Sequence, residues 1–504
     1  MISTVLENAA IVDGMGHFAY TTDIGIAGDR IALIGDLRER DALVRIDCSG
    51  KTIAPGFIDT HSHSDELWLT LPRCDGKIAQ GVTTEIGGNC GTSVPPLEID
   101  DFFHDVERNG VALNVATLVG LGTTRRMIAG EDPRRLEREE IEAQARIVRQ
   151  ACEQGAIGVS SGLIYPPSMY ADTHELAAMA AAAREANAPR YATHMRSESD
   201  ELLAAVDEAI EIGQRAQVLV QCSHHKAAGK KNWGKVHQSL ERIDRARRHD
   251  TAVYCDVYPY VASWTELATI LPAQVRHGGV DATLERLSDP ESATAIALAL
   301  QLKHADEWHD MLITEAASAK NAQLAGMRMD EIARAWRLSP AAAAIRLLRE
   351  ERLDVGAMFF KMCEDDVATV LSADFCCIGS DASIRALDGP TARGVPHPRT
   401  FGTFPRVFGR FVRGRQTLDL VEAVRRMTAL PASIFGLRER GTIAAGNYAD
   451  LVVFDANAIR DTATYEAPYQ FPIGIEHVFV SGRAVLLHGT FTNERPGRVL
   501  RGGA

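Results

Sequence analysis

The chain contains no apolar run approaching the roughly 20 residues that a membrane-spanning helix requires. It is also short of positive charge: 54 Lys and Arg stand against 67 Asp and Glu, a net charge of −13. A nucleic-acid-binding protein needs a basic face, so nucleic acid is not an expected partner. Local cations can still hold a small anion. The opening "MISTVLENAAIVDG" lacks the basic segment and long apolar core of a secretory signal. Cysteine is scarce and unpatterned, nine in 504 residues, an odd number without the spacing of a disulfide framework. These absences predict a cytoplasmic protein with neither a membrane nor a nucleic acid as partner.

What is present is a globular composition, 46% hydrophobic and 24% charged, in a chain long enough for a large domain and a smaller one. Short β segments open the chain ("TVLENAAIVDG", "DIGIAGDRIALIGDL", "ALVRIDCSGKTIAPG"), with Gly and Asp turns between alternating apolar residues. The same texture returns in "GTIAAGNYADLVVFD" and "IEHVFVSGRAVLLHG". One small β domain built from both ends, residues 1–54 and 438–504, accounts for both.

Between them, apolar runs alternate with amphipathic, Ala- and Arg-rich stretches. Strands are expected at 53–60, 83–89, 113–120, 156–162, 190–195, 217–224, 252–258 and 376–381. Strands alternating with helices imply a parallel sheet, and eight such units predict an α/β fold of the (β/α)₈ TIM-barrel type over 55–437. One gap breaks the rhythm. Residues 263–370 exceed a single crossover helix, and segments such as "MDEIARAWRLSPAAAAIRLLREE" predict a mostly helical insertion before the eighth strand.

The ends of these strands carry the chemistry. "PGFIDTHSHSD" ends the first strand with His61, His63 and Asp65, which period-two alternation puts on one face, with Ser62 and Ser64 on the other. The second strand ends in Cys90 ("GGNCGTS"), the fifth in His194 ("ATHMRSES"), the sixth in His224 or His225 ("QCSHHK") and the eighth in Asp381 ("IGSDAS"). Taken singly, each has a bland explanation: a cysteine after Gly-Gly-Asn packs, an aspartate caps a helix, a histidine bonds to backbone. Five strand ends carrying imidazole, thiol or carboxylate together point to a metal, since these are zinc ligands and a barrel gathers its strand ends at one mouth. Histidines away from strand ends, such as His17, His104 and His488, are expected at the surface or in the core.

These motifs resemble those of the amidohydrolase superfamily, and more closely its N-acyl-D-amino-acid deacylases, the D-aminoacylases. "PGFIDTHSHSD" is similar to the superfamily's first-strand metal motif. "GVTTEIGGNCGTS", "GAIGVSSGLIYPPS", "SHHKAAGKKNWGK", "DVYPY", "IGSDAS" and "HPRTFGTFPRVFG" resemble the narrower group, over almost the whole chain. The resemblance implies zinc as cofactor. Cys90, His194 and His224 would hold it tightly, with His61 and His63 forming a second, weaker position. It prefers His224 to His225, and only one of two adjacent side chains can face inward. Asp381 would be the acid–base residue, and Lys226, Tyr258 and Arg399, with Tyr165 and Ser263, would grip the substrate.

Two departures stand out, Leu121 where the group has histidine and Ala382 where glycine is usual. The implied reaction is hydrolysis of N-acyl-D-amino acids to a carboxylate and a free D-amino acid. The competing readings are a D-residue dipeptide, a hydantoin- or dihydroorotate-like cyclic amide, or a non-catalytic scaffold. Cys90 in place of a bridging lysine argues against the rings, and the full set of ligand positions against the scaffold. Side-chain preference, acyl group and oligomeric state stay open.

Overall fold

The computed structural model describes residues 1–502. Both chain termini contribute to one sheet of nine strands. Its N-terminal part runs Ile2–Ile11, Tyr20–Ala27, Arg30–Gly35, Ala42–Asp47 and Thr52–Pro55. Leu451–Phe454, Ile475–Val480, Arg483–Leu487 and Thr490–Phe491 complete it. The halves meet where Thr52–Pro55 pairs antiparallel with Leu451–Phe454. Leu6, Ile24, Ile53, Leu451 and Val453 form its buried core. A fully buried side chain of this size stabilises by about 1.5–3 kcal/mol.

The expected strand at 53–60 is two strands. Thr52–Pro55 belongs to the terminal sheet, and Phe57–Asp59 enters a parallel one. Only Gly56 separates them, and a Cβ there would run into the side chain of Thr83. The crossing is tight because nothing larger than hydrogen fits.

The parallel strands come in two runs. Phe57–Asp59, Val82–Gly87 and Asn114–Thr117 form the first. Val119–Gly120, Val159–Gly162, Arg190–His194, Leu219–Cys222, Val253–Val257 and Cys376–Ile378 form the second, adjacent in that order and parallel throughout. Leu118 alone interrupts the strand shared by the two runs, and its N–H donates to the Gly87 carbonyl at 3.1 Å. At the other margin Ser62 and Ala382 form a parallel bridge. Ile58, Ile86, Ala116, Ala192 and Cys377 pack on one face of these strands. The other face carries Val82, Val159, Val220 and Cys255 against helices including Arg138–Glu153, Thr173–Glu185, Leu202–Ala216 and Lys235–Arg248. These strands are buried on both faces, and polar residues such as Glu85, Ser160, Gln221 and Asp256 are buried along with the apolar ones.

The stretch at 263–370 holds helices Gly279–Ser288, Pro290–Lys303, Met329–Trp336 and Pro340–Glu350. It also holds an antiparallel sheet of Ser263–Glu266, Met311–Ala316 and Val355–Phe359, which the helical expectation missed. These elements share a separate core running from Leu267 to Phe359. Helix Glu364–Ser372 instead packs beside Cys376–Ile378 and Lys235–Arg248, in the outer helix layer.

Candidate metal and catalytic site

His61, Cys90, His224 and Asp381 each offer a donor atom, all within 4.8 Å of one another. The Cys90 Sγ lies 3.3 Å from His61 Nε2, 3.6 Å from His224 Nε2 and 3.8 Å from His194 Nδ1. Asp381 Oδ1 sits 3.0 Å from His63 Nε2 and 3.4 Å from His61 Nε2. Six residues scattered along the sequence thus converge where the parallel strands end.

Local backbone geometry makes this convergence. Cys90, His224 and Asp381 all have positive φ, at 52°, 37° and 51°. Non-glycine residues adopt this region at a cost of order 1–3 kcal/mol, and such strain concentrates at functional sites. The Cys90 loop packs closely on the strand Val159–Gly162: a Cβ on Gly91 would lie 2.7 Å from the Gly162 nitrogen, and one on Gly162 would strike the Cys90 carbonyl. Alternation also persists past the end of the first strand. Ser62 and Ser64 both donate to the Glu85 carboxylate, so His61 and His63 share the opposite side. Asp65 leaves the pattern: it accepts from Thr117 Oγ1 at 2.6 Å and Gly88 N–H at 2.9 Å, fastening the loop instead of joining the site.

Electrostatics favour the ionised forms of the cluster: against the pull of burial, Asp256, Cys90 and Asp381 raise His61 well above its usual range, and neighbouring anions lift His63 and His224 to about 9, so a bound metal would displace these protons. Burial alone would raise the Cys90 thiol, but the surrounding imidazoles, His61 foremost, hold it well below the usual thiol range. Burial would likewise raise Asp381, and Arg399 with the neighbouring histidines overrides it, keeping the carboxylate ionised. Burial lowers His194, whose Nε2 is buried without a hydrogen-bond partner.

Three further residues set this geometry, and the sequence assigned none of them a role. Asp256 Oδ1 accepts the His224 N–H at 2.8 Å and lies 3.3 Å from His61 Nδ1, orienting that ring so that Nε2 faces Cys90. Glu198 lies 2.7 Å from His224 Nδ1 and 3.7 Å from His194 Nε2, and ion-pairs with Lys226. Its place four residues after His194 is the only hint the sequence offers. His397 accepts the Arg399 N–H through Nδ1 at 3.0 Å, and its Nε2 meets the Ala262 carbonyl at 2.9 Å. Burial and the Arg399 charge hold His397 neutral, as that acceptor role requires.

The expected substrate-gripping residues divide. Arg399 is 1% exposed, ion-pairs with Asp381 Oδ2 at 2.8 Å and stacks 4.6 Å above the Tyr258 ring. That ion pair lacks hydrogen-bond direction, since Arg399 Nη1 counts among the buried polar atoms without a hydrogen-bond partner. The Tyr258 hydroxyl is buried and unpartnered as well. Lys226 Nζ lies 5.7 Å from the same ring but is engaged by Glu198. Tyr165 meets the His194 ring edge-on at 5.2 Å and bonds Thr265 Oγ1 at 2.8 Å. Ser263 starts the antiparallel strand opposite Phe359, and its hydroxyl makes no hydrogen bond among the described residues. His225 turns away, bonding Ser239 Oγ at 2.7 Å, and burial lowers it to about 4. Leu121 is buried in the outer apolar layer. A cleft with about 410 Å³ of empty space, open to solvent, is lined by His63, Trp264, Asp381, Ala382, His397 and Arg399, among others.

A converging set of imidazoles, thiolate and carboxylate beside a buried arginine is one that could hold a metal ion, and comparison gives the class of the protein. The amidohydrolase family model matches residues 45–486, so the chain belongs to the amidohydrolase family. It is 36% identical to the N-acyl-D-glutamate deacylase of Alcaligenes xylosoxydans xylosoxydans, covering 99% of this chain and 96% of that protein. With the D-aminoacylase of the same organism it shares 35% identity, covering 98% and 97%. The crystal structure of N-acyl-D-glutamate deacylase from Bordetella bronchiseptica, complexed with zinc and a phosphonate mimic of the tetrahedral intermediate, superposes with a TM-score of 0.85 at 33% identity, covering 99% of each chain. Among the described residues, no helix is long and apolar enough to cross a membrane.

Proposed function

We propose that this chain is a zinc-dependent deacylase of N-acyl-D-amino acids, releasing a carboxylate and a free D-amino acid. The observation that carries this reading is one adjacency: Asp381 belongs to the Cys90–His61–His224–Asp381 cluster and, 2.8 Å from the buried Arg399 guanidinium, lines the open cleft together with it. The cluster suits amide hydrolysis and the guanidinium a free α-carboxylate. A hydrolase of N-acyl amino acids has use for both.

The donor set fits zinc. Thiolate and imidazole are its preferred ligands, and Cys90 Sγ already faces three ring nitrogens. In this reading Cys90, His194 and His224 hold the tight ion, and His61 and His63 offer a second, weaker position beside Cys90. When bound, zinc supplies Lewis acidity towards the amide carbonyl and makes water acidic enough to attack near neutral pH.

The chain's own residues do the rest. Asp381 accepts the proton of the attacking water and returns it to the amine nitrogen as the C–N bond breaks. Without that proton the departing amide anion would re-form the bond. Arg399 offers a planar fork for the α-carboxylate, which would draw the guanidinium from its contact with Asp381. Tyr258, with its hydroxyl free, lies between Arg399 and Lys226, 4.6 and 5.7 Å from its ring; Tyr165 and Ser263 are assigned to the rim. Lys226 acts only if the substrate carboxylate competes with Glu198.

The fold assigned to this function is a (β/α)₈ barrel over 55–437, with the insertion of about 263–370 before its eighth strand and a small β domain from 1–54 and 438–504. The two parallel runs, parted only at Leu118, and the Ser62–Ala382 bridge just past the first and last strands support closure.

The test is amine release from paired N-acetyl-D- and N-acetyl-L-amino acids by zinc-loaded protein, across acidic, aliphatic and aromatic side chains. Turnover confined to the D series is expected. No turnover of either series, with zinc present, would sink the reading and favour a D-residue dipeptide or a cyclic amide.

A further inference from the structure

Lys77 is a fully buried lysine beneath the site, and the chemistry described so far does not use it. It lies on the short helix Asp75–Ile78, where Gly76 lets the chain approach the Arg385 carbonyl: a Cβ there would lie 2.8 Å away. An ammonium has three N–H donors, and each is spent. One goes to Asp59 Oδ2 at 2.6 Å, one to Ser380 Oγ at 2.8 Å and one to the Ala382 carbonyl at 3.0 Å. Glu85 Oε1 completes the shell as an ion pair at 2.9 Å.

Each partner is attached to a reacting group. Ser380 and Ala382 flank Asp381 on both sides. Asp59 accepts the His61 N–H at 3.2 Å and the Ser380 N–H at 2.8 Å. Glu85 accepts from Ser62 and Ser64, which flank His63, and from Trp68 Nε1 at 2.9 Å. One charge therefore joins the neighbours of His61, His63 and Asp381 from the side facing away from the cleft. Burial pulls the Lys77 ammonium down, and the Asp59 and Glu85 carboxylates more than offset it, so it stays charged.

An apolar residue could fill this volume, because a buried ion pair is seldom the most stabilising choice. What apolar packing cannot do is fix direction at three backbone stretches at once. We propose that Lys77 is a positioning residue for the deacylation, holding the left-handed turn at Asp381 in register with the His61–His63 segment. The inference rests on the function proposed above, and it assigns Lys77 no contact with substrate.

The experiment is Lys77→Met in the full-length zinc-loaded protein, read by kcat, KM, zinc retained through gel filtration, and thermal midpoint. A misplacement on the scale of an ångström costs up to about a hundredfold, so kcat should fall by about tenfold or more. KM should stay within about threefold, because the Arg399 side of the cleft is untouched. Zinc content should match the wild type.

Wild-type kcat in Lys77→Met overturns the inference, and so does a loss of activity that only tracks lost zinc. Should Lys77→Met fail to fold, Lys77→Gln replaces it, since its amide keeps a donor for the buried carboxylates but cannot bond Asp59, Ser380 and Ala382 at once. A several-fold fall in kcat with KM and zinc unchanged then supports the inference, and wild-type kcat overturns it. Failure of the function itself is distinguishable, because the wild-type protein would then turn over no N-acyl-D-amino acid.

Discussion

The backbone N–H of Asp381 donates to the carbonyl of His61 at 2.8 Å, and the Asp381 carboxylate returns to within 3.4 Å of the His61 ring. The first and last parallel strands thus meet at the point where a base and a metal-type ligand are needed together. Backbone and side chain both make that contact, so the separation of the two groups is set by the fold and not by rotamer choice.

The first prediction concerns Asp381. Asp381→Asn keeps the shape and removes the proton acceptor, so kcat should fall by roughly 10²–10⁴-fold. Zinc content should persist, because Cys90, His194 and His224 remain. A variant retaining more than a tenth of wild-type kcat, with metal bound, would remove Asp381 as the base.

Cys90 supplies the only sulfur in the cluster. Cys90→Ala should therefore lose zinc on gel filtration, whereas the wild type keeps it, and activity should return only with excess metal or not at all. Metal analysis of the purified protein decides this, and zinc content equal to the wild type would overturn the ligand assignment.

Arg399 is assigned to the substrate α-carboxylate, and its fork geometry matters more than its charge. Arg399→Lys should raise KM by about tenfold or more, with a smaller change in kcat. Because the variant stays cationic next to Asp381, the base remains ionised. An unchanged KM for N-acyl-D-amino acids would place carboxylate recognition elsewhere in the cleft.

A pH effect on stability follows from His477, in the terminal sheet away from the site. Burial first, then the neighbouring His488, lowers its pKa from 6.5 to about 4. Its Nδ1 accepts the His488 N–H at 3.1 Å, a role only the neutral ring can fill. Between pH 6.5 and about 4 the unfolded chain binds this proton and the folded chain does not, so stability declines as pH falls through that window. His477→Gln keeps an acceptor but cannot titrate. Its melting temperature should fall less steeply with acid than that of the wild type, and parallel curves would exclude the histidine as a source of acid sensitivity.

Much of the site was legible because a strand end has few options. Period-two alternation placed His61 and His63 together, and the turn after each apolar run marked where Cys90, His194, one of His224 and His225, and Asp381 would emerge. Asp256, Glu198, His397 and Lys77 were not legible. Their roles depend on partners that only folding brings near, and a lone Asp, Glu or Lys in sequence reads as solvated surface. The antiparallel sheet within 263–370 escaped for a different reason: its strands lie singly among helices, far apart in sequence, and Ser263–Glu266 carries little apolar signal. Asp65 shows where alternation fails, since the chain turns before it and the carboxylate serves the loop.

The narrow passage at Gly56 bears on how this gene can vary. Thr52–Pro55 is committed to one sheet and Phe57–Asp59 to another, and no slack lies between them. An added or missing codon here cannot be absorbed by a loop, as it could be on the surface. The inner strand would have to slide by one residue, and a slide of one exchanges the two faces. Ser62 and Ser64 would then point where His61 and His63 belong. In this stretch a frame-preserving insertion is as severe for the imidazole pair as replacing both rings, although every residue is still present.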